Sequence, residues 1–294
     1  MVILGALAAA LGWGVSDYSG GYVAQRDAPV FAIVAVSELL GLVLLLPALL
    51  ARGAPLPTSP RMLLAVAAGL STTLELGLVY RALSRGSAFV TAPVGALGAA
   101  TAVAIGVIGG DPLGAVITIG LVCALLGSAI STRTTPNAAA SCPSMLGRDT
   151  AVRLAAALSV GATLTLLHAA GRLDPYWVTA TEHASTAVVA GLVAAVFAAR
   201  SPRADAGSSA QALLARRRLA TIVLIAVAGT CGDVAYITAS HRGVLSIVSA
   251  IASLYPITTI ALGRVLRGHR ATRVQLTGVA VALTGAVLLG AAAH

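Results

Sequence analysis

Five acidic side chains fall inside apolar stretches of this sequence, where a charge is costly. They make up half of the ten acidic residues of the chain and are Asp17, Glu38, Glu75, Glu182 and Asp233. A charged group in the middle of a bilayer costs at least about 2.5 kcal/mol on insertion scales, so it normally faces a cavity or a partner. The set predicts a polar site inside a membrane protein.

Glu38 and Glu182 form the pair that we predict to act together. They lie at similar depths in matching spans of two halves, so a pseudo-twofold axis would bring both toward one central cavity. There they would bind a cationic substrate or carry a proton that drives exchange. The structural alternative is a buried hydrogen-bonded carboxyl, or an interhelical partner for Arg81 or His168. His183 follows Glu182 directly, and neighbours on a helix are expected to point in different directions.

Other polar and aromatic residues of the spans are candidates for lining the same cavity. In the segment 13–18, Trp-Gly-Val-Ser-Asp-Tyr, the aromatic side chains suit either a pocket wall or an interface anchor. Histidine titrates near physiological pH, which suits proton coupling, although a lone histidine in a helix is more often a plain hydrogen-bonding residue. The alternative for each candidate is structural pairing or packing. The candidates are Trp13, Asp17, Tyr18, Glu75, Tyr80, His168, Asp233, Tyr236 and Tyr255.

Two prolines lie inside predicted spans and are candidates for gating. Pro93 and Pro256 fall in the fourth and ninth spans, which match each other across the two halves. Each removes one backbone donor and is expected to kink its helix beside the cavity. No HExxH or similar metal spacing occurs, and the three cysteines form no CxxC, so neither a metal nor a cofactor is predicted.

The elements that position these residues are predicted to be transmembrane helices. Hydrophobic residues make up 58% of the 294 positions and charged residues 10%, against about 25% in a soluble domain. A crossing helix needs about 20 mostly apolar residues, and backbone groups in lipid must be bonded internally. Ten such runs cover residues 2–21, 30–51, 61–83, 87–108, 113–132, 152–171, 177–199, 219–241, 244–266 and 273–292.

The runs divide into two halves. We predict a first five-helix repeat over 1–132, a linker rich in Ser, Thr, Pro and Asn over 133–151, and a second five-helix repeat over 152–294. The joins after the third and eighth spans both end in Arg-Gly, at 85–86 and 242–243. Five spans per half force the second half to insert upside down, and inverted repeats of this kind recur in carriers with a binding site near the bilayer midplane.

The charge pattern excludes one class of protein. The net charge is +9, all 19 basic residues are Arg, and they lie mostly between or at the edges of apolar runs, as orientation signals do. No basic stripe is interleaved with stacking aromatics, so nucleic acid is not an expected partner. The loops after the odd-numbered spans hold most of the Arg residues, which predicts that both termini lie outside.

The segment 11–18, Leu-Gly-Trp-Gly-Val-Ser-Asp-Tyr, the two Arg-Gly joins and the Gly-rich closing spans resemble the EamA-type branch of the drug/metabolite transporter superfamily. The resemblance covers nearly the whole chain. It implies two five-helix repeats and export or exchange of small metabolites or drugs by alternating access, here in a bacterial plasma membrane. Glu38 stands near where many members carry Arg, which disfavours an anionic substrate. The alternatives are a membrane-embedded transferase or protease, and a non-transporting sensor or assembly subunit.

Overall fold

The computed structural model describes residues 1–24, 29–84, 88–131, 146–200, 216–267 and 272–292, and these residues form helices and short turns without a strand. The all-helical prediction is confirmed. The helices, in chain order, are α1 (Val2–Ala24), α2 (Val30–Arg52), α3 (Met62–Ser84), α4 (Ala88–Ile108), α5 (Ala115–Ser131), α6 (Leu146–Ala170), α7 (Pro175–Arg200), α8 (Arg216–Ser240), α9 (Leu245–Ala252), α10 (Tyr255–Arg267) and α11 (Arg273–Ala292).

Seven helical stretches in the described parts are long and apolar enough to cross a bilayer. They are Val2–Ala24, Val30–Arg52, Met62–Tyr80, Pro175–Arg200, Arg218–Ser240, Leu245–Leu266 and Arg273–Ala292. Three shorter apolar stretches, Leu97–Ile108, Ala115–Ser131 and Leu154–Ala170, lie where the remaining crossings are predicted. A count of ten crossings stays a prediction, and so does the orientation of the termini.

The ninth predicted span consists of two helices rather than one kinked helix. α9 ends at Ala252, a turn follows at Ser253 and Leu254, and α10 begins at Tyr255. Pro256 therefore lies in the first turn of α10, where a missing N–H breaks no intrahelical bond. Pro93 lies within α4, but its side chain is outside the described part.

The boundary between the predicted linker and the sixth span also differs from the sequence prediction. α6 begins at Leu146, inside the predicted linker 133–151. The stretch from Leu146 to Ala151 contains no proline, so nothing in it prevents the helix from starting early. Residues 133–145 of the linker are outside the described part.

The helices before and after the linker pack on each other rather than in two separate bundles. α1 packs on α8, α3 on α6, α2 on α7 and α5 on α11, and α1 also contacts α10 while α4 contacts α6. Every one of these pairs joins a helix of the first half to a helix of the second. Any cavity between them is consequently built by both halves.

The outside of the bundle is apolar and several of its buried side chains are polar. Leu50, Ile108 and Val287 are 80%, 86% and 71% exposed, whereas Glu182 and His183 are each 2% exposed. A soluble protein rarely leaves a continuous apolar surface of this extent in water. Lipid is the solvent that matches this surface, and the interior is where a polar site can exist.

Candidate substrate cavity

A cavity of about 70 Å³ lies between α1, α2, α3, α6, α8 and the turn that joins α9 to α10. A water needs about 10–15 Å³ of such space, so the cavity has room for several waters or one small polar group. Six of the predicted site residues line it: Trp13, Asp17, Glu38, Glu75, Asp233 and Tyr255. Four of the five acids predicted to share a site therefore do so.

The fifth acid, Glu182, lies behind the cavity wall in a polar cluster that we call the His183 cluster: Glu38, Glu182, His183 and Thr230. His183 Nδ1 lies 2.7 Å from Glu38 Oε2 and 2.8 Å from Glu182 Oε2. His183 Nε2 lies 3.0 Å from Thr230 Oγ1. Glu38 and Glu182 thus lie on either side of one histidine, and of the two only Glu38 lines the cavity.

The expectation that Glu182 and His183 point apart is wrong. Their side chains hydrogen-bond, because α2 runs so close to α7 and α8 that both residues turn into the same groove. The close approach depends on Gly41 of α2: a Cβ there would lie 2.6 Å from Thr230 Oγ1 and 2.8 Å from His183 Cδ2. Helical spacing predicts the direction in which each side chain leaves the helix, but it does not predict that the two side chains then turn toward each other.

The two glutamates of the His183 cluster differ in their surroundings. Glu182 is held by His183 and by Thr186 Oγ1, which lies 3.0 Å from Glu182 Oε1, and its side chain is 3% exposed. The Glu38 side chain is 12% exposed, lines the cavity, and its Oε2 completes no hydrogen bond. His183 Nδ1 carries at most one hydrogen, so it can donate a hydrogen bond to only one of the two carboxylates, and the other lacks a donor. Glu38 is the member that the cavity reaches.

Asp233, whose Oδ2 lies 3.9 Å from His183 Nε2, is held by Trp13. The indole Nε1 donates to Asp233 Oδ1 at 2.8 Å, and the Trp13 ring lies 5.2 Å from the ring of Tyr236 at 40°. Tyr236 itself is fully buried and donates to the carbonyl of Leu164. It supports the Trp13 wall from behind and does not line the cavity.

Asp17 and Glu75 are the two cavity carboxyls without an ion-pair partner among the described residues. Asp17 has no hydrogen bond there either. Glu75 lies beside the hydroxyl of Thr163, which does not complete a hydrogen bond to it. The two carboxyls are within electrostatic range of each other. Carboxyls that face a cavity in a membrane interior without a positively charged partner are energetically costly and therefore rare.

Several predicted residues lie away from the cavity. Tyr18 does not line it. Tyr80 is fully buried against Gly20, and Pro256 is buried at the start of α10. His168 is half-buried in α6, and its Nδ1 has no partner in the described part.

The sequence reasoning missed the hydroxyl residues that complete the cavity, Ser16, Thr72, Thr163 and Ser253. Serine and threonine are common in transmembrane helices, where they bond their own backbone. Their type alone therefore gave no signal. A second feature that the sequence does not reveal is a group of three possible metal ligands, Glu38, Glu182 and His183, whose ligand atoms all lie within 4.8 Å of one another. The three residues come from two different helices, so they form no spacing motif along the chain. The distances from His183 to the two glutamates are those of hydrogen bonds, so a proton between these atoms is sufficient to explain them.

An apolar helical bundle built around a carboxyl-lined cavity defines a multi-pass membrane protein. The chain belongs to the EamA-like transporter family, whose pattern matches residues 1–133 and 151–291. A solved crystal structure is similar over 96% of this chain and 95% of its own, with a TM-score of 0.73 and 17% identity, which shows a shared fold. No curated protein sequence matches the chain.

Proposed function

We propose that the protein is a carrier that exports or exchanges small organic metabolites or drugs across a bacterial plasma membrane by alternating access. The observation that carries the proposal is the carboxyl-lined cavity between helices of both halves. A site at such an interface becomes accessible from one side and then the other if the halves rock against each other. Family membership favours transport over a membrane-embedded enzyme.

The cross-half packing supports an inverted-repeat arrangement. If α1 to α5 correspond in order to α6, α7, α8, α9–α10 and α11, then the contact of α1 with α8 mirrors that of α6 with α3, and α2–α7 and α5–α11 map onto themselves. The two matched sequence ranges, 1–133 and 151–291, agree with the same division. Pro93 and Pro256 occupy the corresponding fourth helix and α10, and remain proposed gating residues.

Proton coupling in this proposal runs through Glu38 and Glu182. The two carboxylates compete for one imidazole N–H, so a proton taken up by Glu38 changes which of them His183 serves. Glu38 faces the cavity and exchanges protons with its water, while Glu182 stays anionic beside Thr186 and fixes the imidazole. The proposed partners are accordingly a small solute, protons and the bilayer.

The test uses purified protein in proteoliposomes and a panel of radiolabelled amines, neutral amino acids and organic acids. We expect at least one solute to move in response to an imposed pH gradient. Glu38→Gln keeps the shape and cannot exchange a proton, so it should lose the response to the gradient and retain exchange of labelled for unlabelled solute. Asp174→Asn, which alters an acid outside the cavity, is the matched control.

Two results would count against the proposal. Wild-type transport that is indifferent to the gradient, or unchanged in Glu38→Gln, would remove the coupling role. A failure to move any solute of the panel, in vesicles shown to contain folded protein, would oppose the carrier and favour a sensor or assembly subunit.

A further inference from the structure

In the described part of the interior, acidic groups outnumber basic groups. Five carboxyls line or adjoin the cavity, and His183 is the single side chain in the described part of that region that can carry positive charge. One imidazolium compensates at most one carboxylate. An uncompensated charge is costly in a membrane interior, and among the described residues no further basic side chain is available, so protons or a bound cation are the partners that would balance the others.

The single basic group is also unevenly placed. His183 contacts Glu38 and Glu182 at hydrogen-bond distance, and its other nitrogen lies 3.9 Å from Asp233 Oδ2. Asp17 and Glu75, on α1 and α3, make no such contact with the described residues. The positive charge therefore lies on one side of the cavity, and the other side holds two carboxyls that no described side chain neutralises.

A second observation at the same place points to a missing ligand. Thr163 of α6 is 8% exposed and lines the cavity beside Glu75, yet its buried hydroxyl oxygen completes no hydrogen bond with any described residue. A buried polar group without a partner costs about 1–3 kcal/mol, and such groups are normally satisfied by protein, water or ligand. A ligand with N–H donors that sat beside Glu75 would reach this oxygen as well.

We infer that Asp17 and Glu75 form the binding subsite of a small organic cation with an ammonium or guanidinium head group. Carboxylates accept short charge-assisted hydrogen bonds from such groups, and Thr163 supplies a further acceptor. Trp13 and Tyr255, which line the same cavity, offer aromatic faces that attract a cation. The volume of about 70 Å³ admits the head group alone in this conformation. The inference rests on the proposed function only in naming what the carrier moves.

Binding of the cation exchanges it for a proton. In the unliganded site, protonation of the carboxyls relieves their mutual repulsion. When a singly charged cation enters, one carboxyl O–H bond breaks, that proton leaves to water and the resulting carboxylate pairs with the cation, so the net charge of the site is unchanged. Of the other titratable groups, Glu38, Asp233 and Tyr255 line the same cavity, and Tyr80 and Glu182 lie behind its wall within electrostatic range of the subsite. His183 lies behind Glu38, which it contacts. Affinity for the cation should therefore rise with pH.

The experiment compares three molecules of one size on the full chain in detergent: benzylammonium, benzyl alcohol and benzoate. A ligand that binds only the folded state raises the melting temperature. We expect benzylammonium alone to raise it, and to release protons into weakly buffered solution, read with a pH indicator dye. Equal effects of all three molecules, or stabilisation by sodium chloride alone, would overturn the inference.

Substitutions locate the subsite. Asp17→Asn and Glu75→Gln should each weaken benzylammonium binding about tenfold or more and reduce proton release, because each loses a charge-assisted hydrogen bond. Asp174→Asn should leave both readouts unchanged. Melting without ligand checks folding, and Asp17→Glu, which keeps the charge, should restore proton release. Binding within twofold of wild type in both neutral variants would overturn the assignment.

The outcomes separate this inference from the carrier proposal. Transport of a neutral or anionic solute by a protein that does not bind benzylammonium would refute the cation subsite and leave the carrier in place. Binding that depends on Asp17 and Glu75, without transport of any solute, would support the subsite and refute the carrier.

Discussion

Gly127→Ala probes the close packing of α5 on α11. A Cβ at Gly127 would lie 2.2 Å from the backbone nitrogen of Ala282 and 2.6 Å from its Cα. Both are backbone atoms and cannot rotate away. To reach an ordinary contact of 3.4 Å, the helices would have to separate locally by about 1.2 Å, which is 3.4 minus 2.2. The same interface also holds Gly278, whose Cβ would meet the backbone of Ser131 at 2.2 Å.

The size of the effect follows from two opposed contributions. Overpacking costs about 1–3 kcal/mol, and a clash between backbones belongs at the upper end because nothing can repack. Alanine is favoured over glycine in a helix by about 1 kcal/mol. The net loss is about 2 kcal/mol. At about 2–4 °C per kcal/mol for a chain approaching this size, the melting temperature should fall by about 4–8 °C.

The matched control is Gly191→Ala in α7. Its Cβ would meet one atom within 4 Å, Ala35 Cβ at 3.9 Å, so the clash is absent and the helix preference remains. The melting temperature should stay level or rise by about 2–4 °C. Both variants are heated in the same detergent at one scan rate, because membrane proteins often unfold irreversibly. The remaining monodisperse fraction is measured by size-exclusion chromatography.

The same glycine-to-alanine change should therefore lower the melting temperature at Gly127 and leave it level or raise it at Gly191, and this difference in direction is the decisive result. Equal shifts in the two variants, or a stable Gly127→Ala, would show that α5 and α11 do not pack as described. Neither helix lines the cavity, so ligand binding per folded molecule should not change. A loss of binding in the folded fraction would contradict the separation between the closing helices and the site.

Three further substitutions test individual contacts. His183→Gln leaves two buried carboxylates without their shared partner and should cost about 3–5 kcal/mol, measured by thermal unfolding; a cost below 1 kcal/mol would argue against the cluster. Asp111→Ala removes the carboxylate that accepts a hydrogen bond from Ser246 N at 2.8 Å, at the start of α9. The loss should lower the free energy of unfolding by about 0.5–2 kcal/mol and speed amide hydrogen exchange in α9, whereas Asp111→Asn, which keeps an acceptor oxygen, should not. Arg52→Gln breaks an exposed ion pair with Asp174 and should cost less than about 1 kcal/mol, with the difference shrinking in high salt.

Much of the fold was predictable because lipid leaves the backbone few choices. An apolar run of about 20 residues can be satisfied only as a helix, and so the predicted runs and the observed helices agree to within a few residues at most boundaries. The break in the ninth span was not predictable from Pro256 alone. A proline is compatible both with a kink inside a helix and with the first turn of a new one, and the surrounding tertiary contacts decide between them.

The candidate site was predictable in its residue types and not in its pairing. The cost of burying a carboxyl singles out Glu38, Glu75 and Asp233 without any knowledge of neighbours. Which carboxyl finds a partner depends on distances between helices. Those distances are set by small residues such as Gly41, whose effect on His183 is invisible along the chain.

The pairing determines the chemistry that the cavity can perform. If the imidazole of His183 stood centrally among all five carboxyls, they would share one compensating charge and no one of them would be distinguished as a binding group. The structure instead places it with Glu38 and Glu182, which leaves Asp17 and Glu75 without a counter-charge among the described residues. In the proposed carrier, a cation that enters at Asp17 and Glu75 would alter the field at Glu38, which alone of the His183 cluster lines the cavity. A carrier of this design would couple solute and proton in two ways: by exchange at Asp17 and Glu75 themselves, and through electrostatics at Glu38 across the shared cavity.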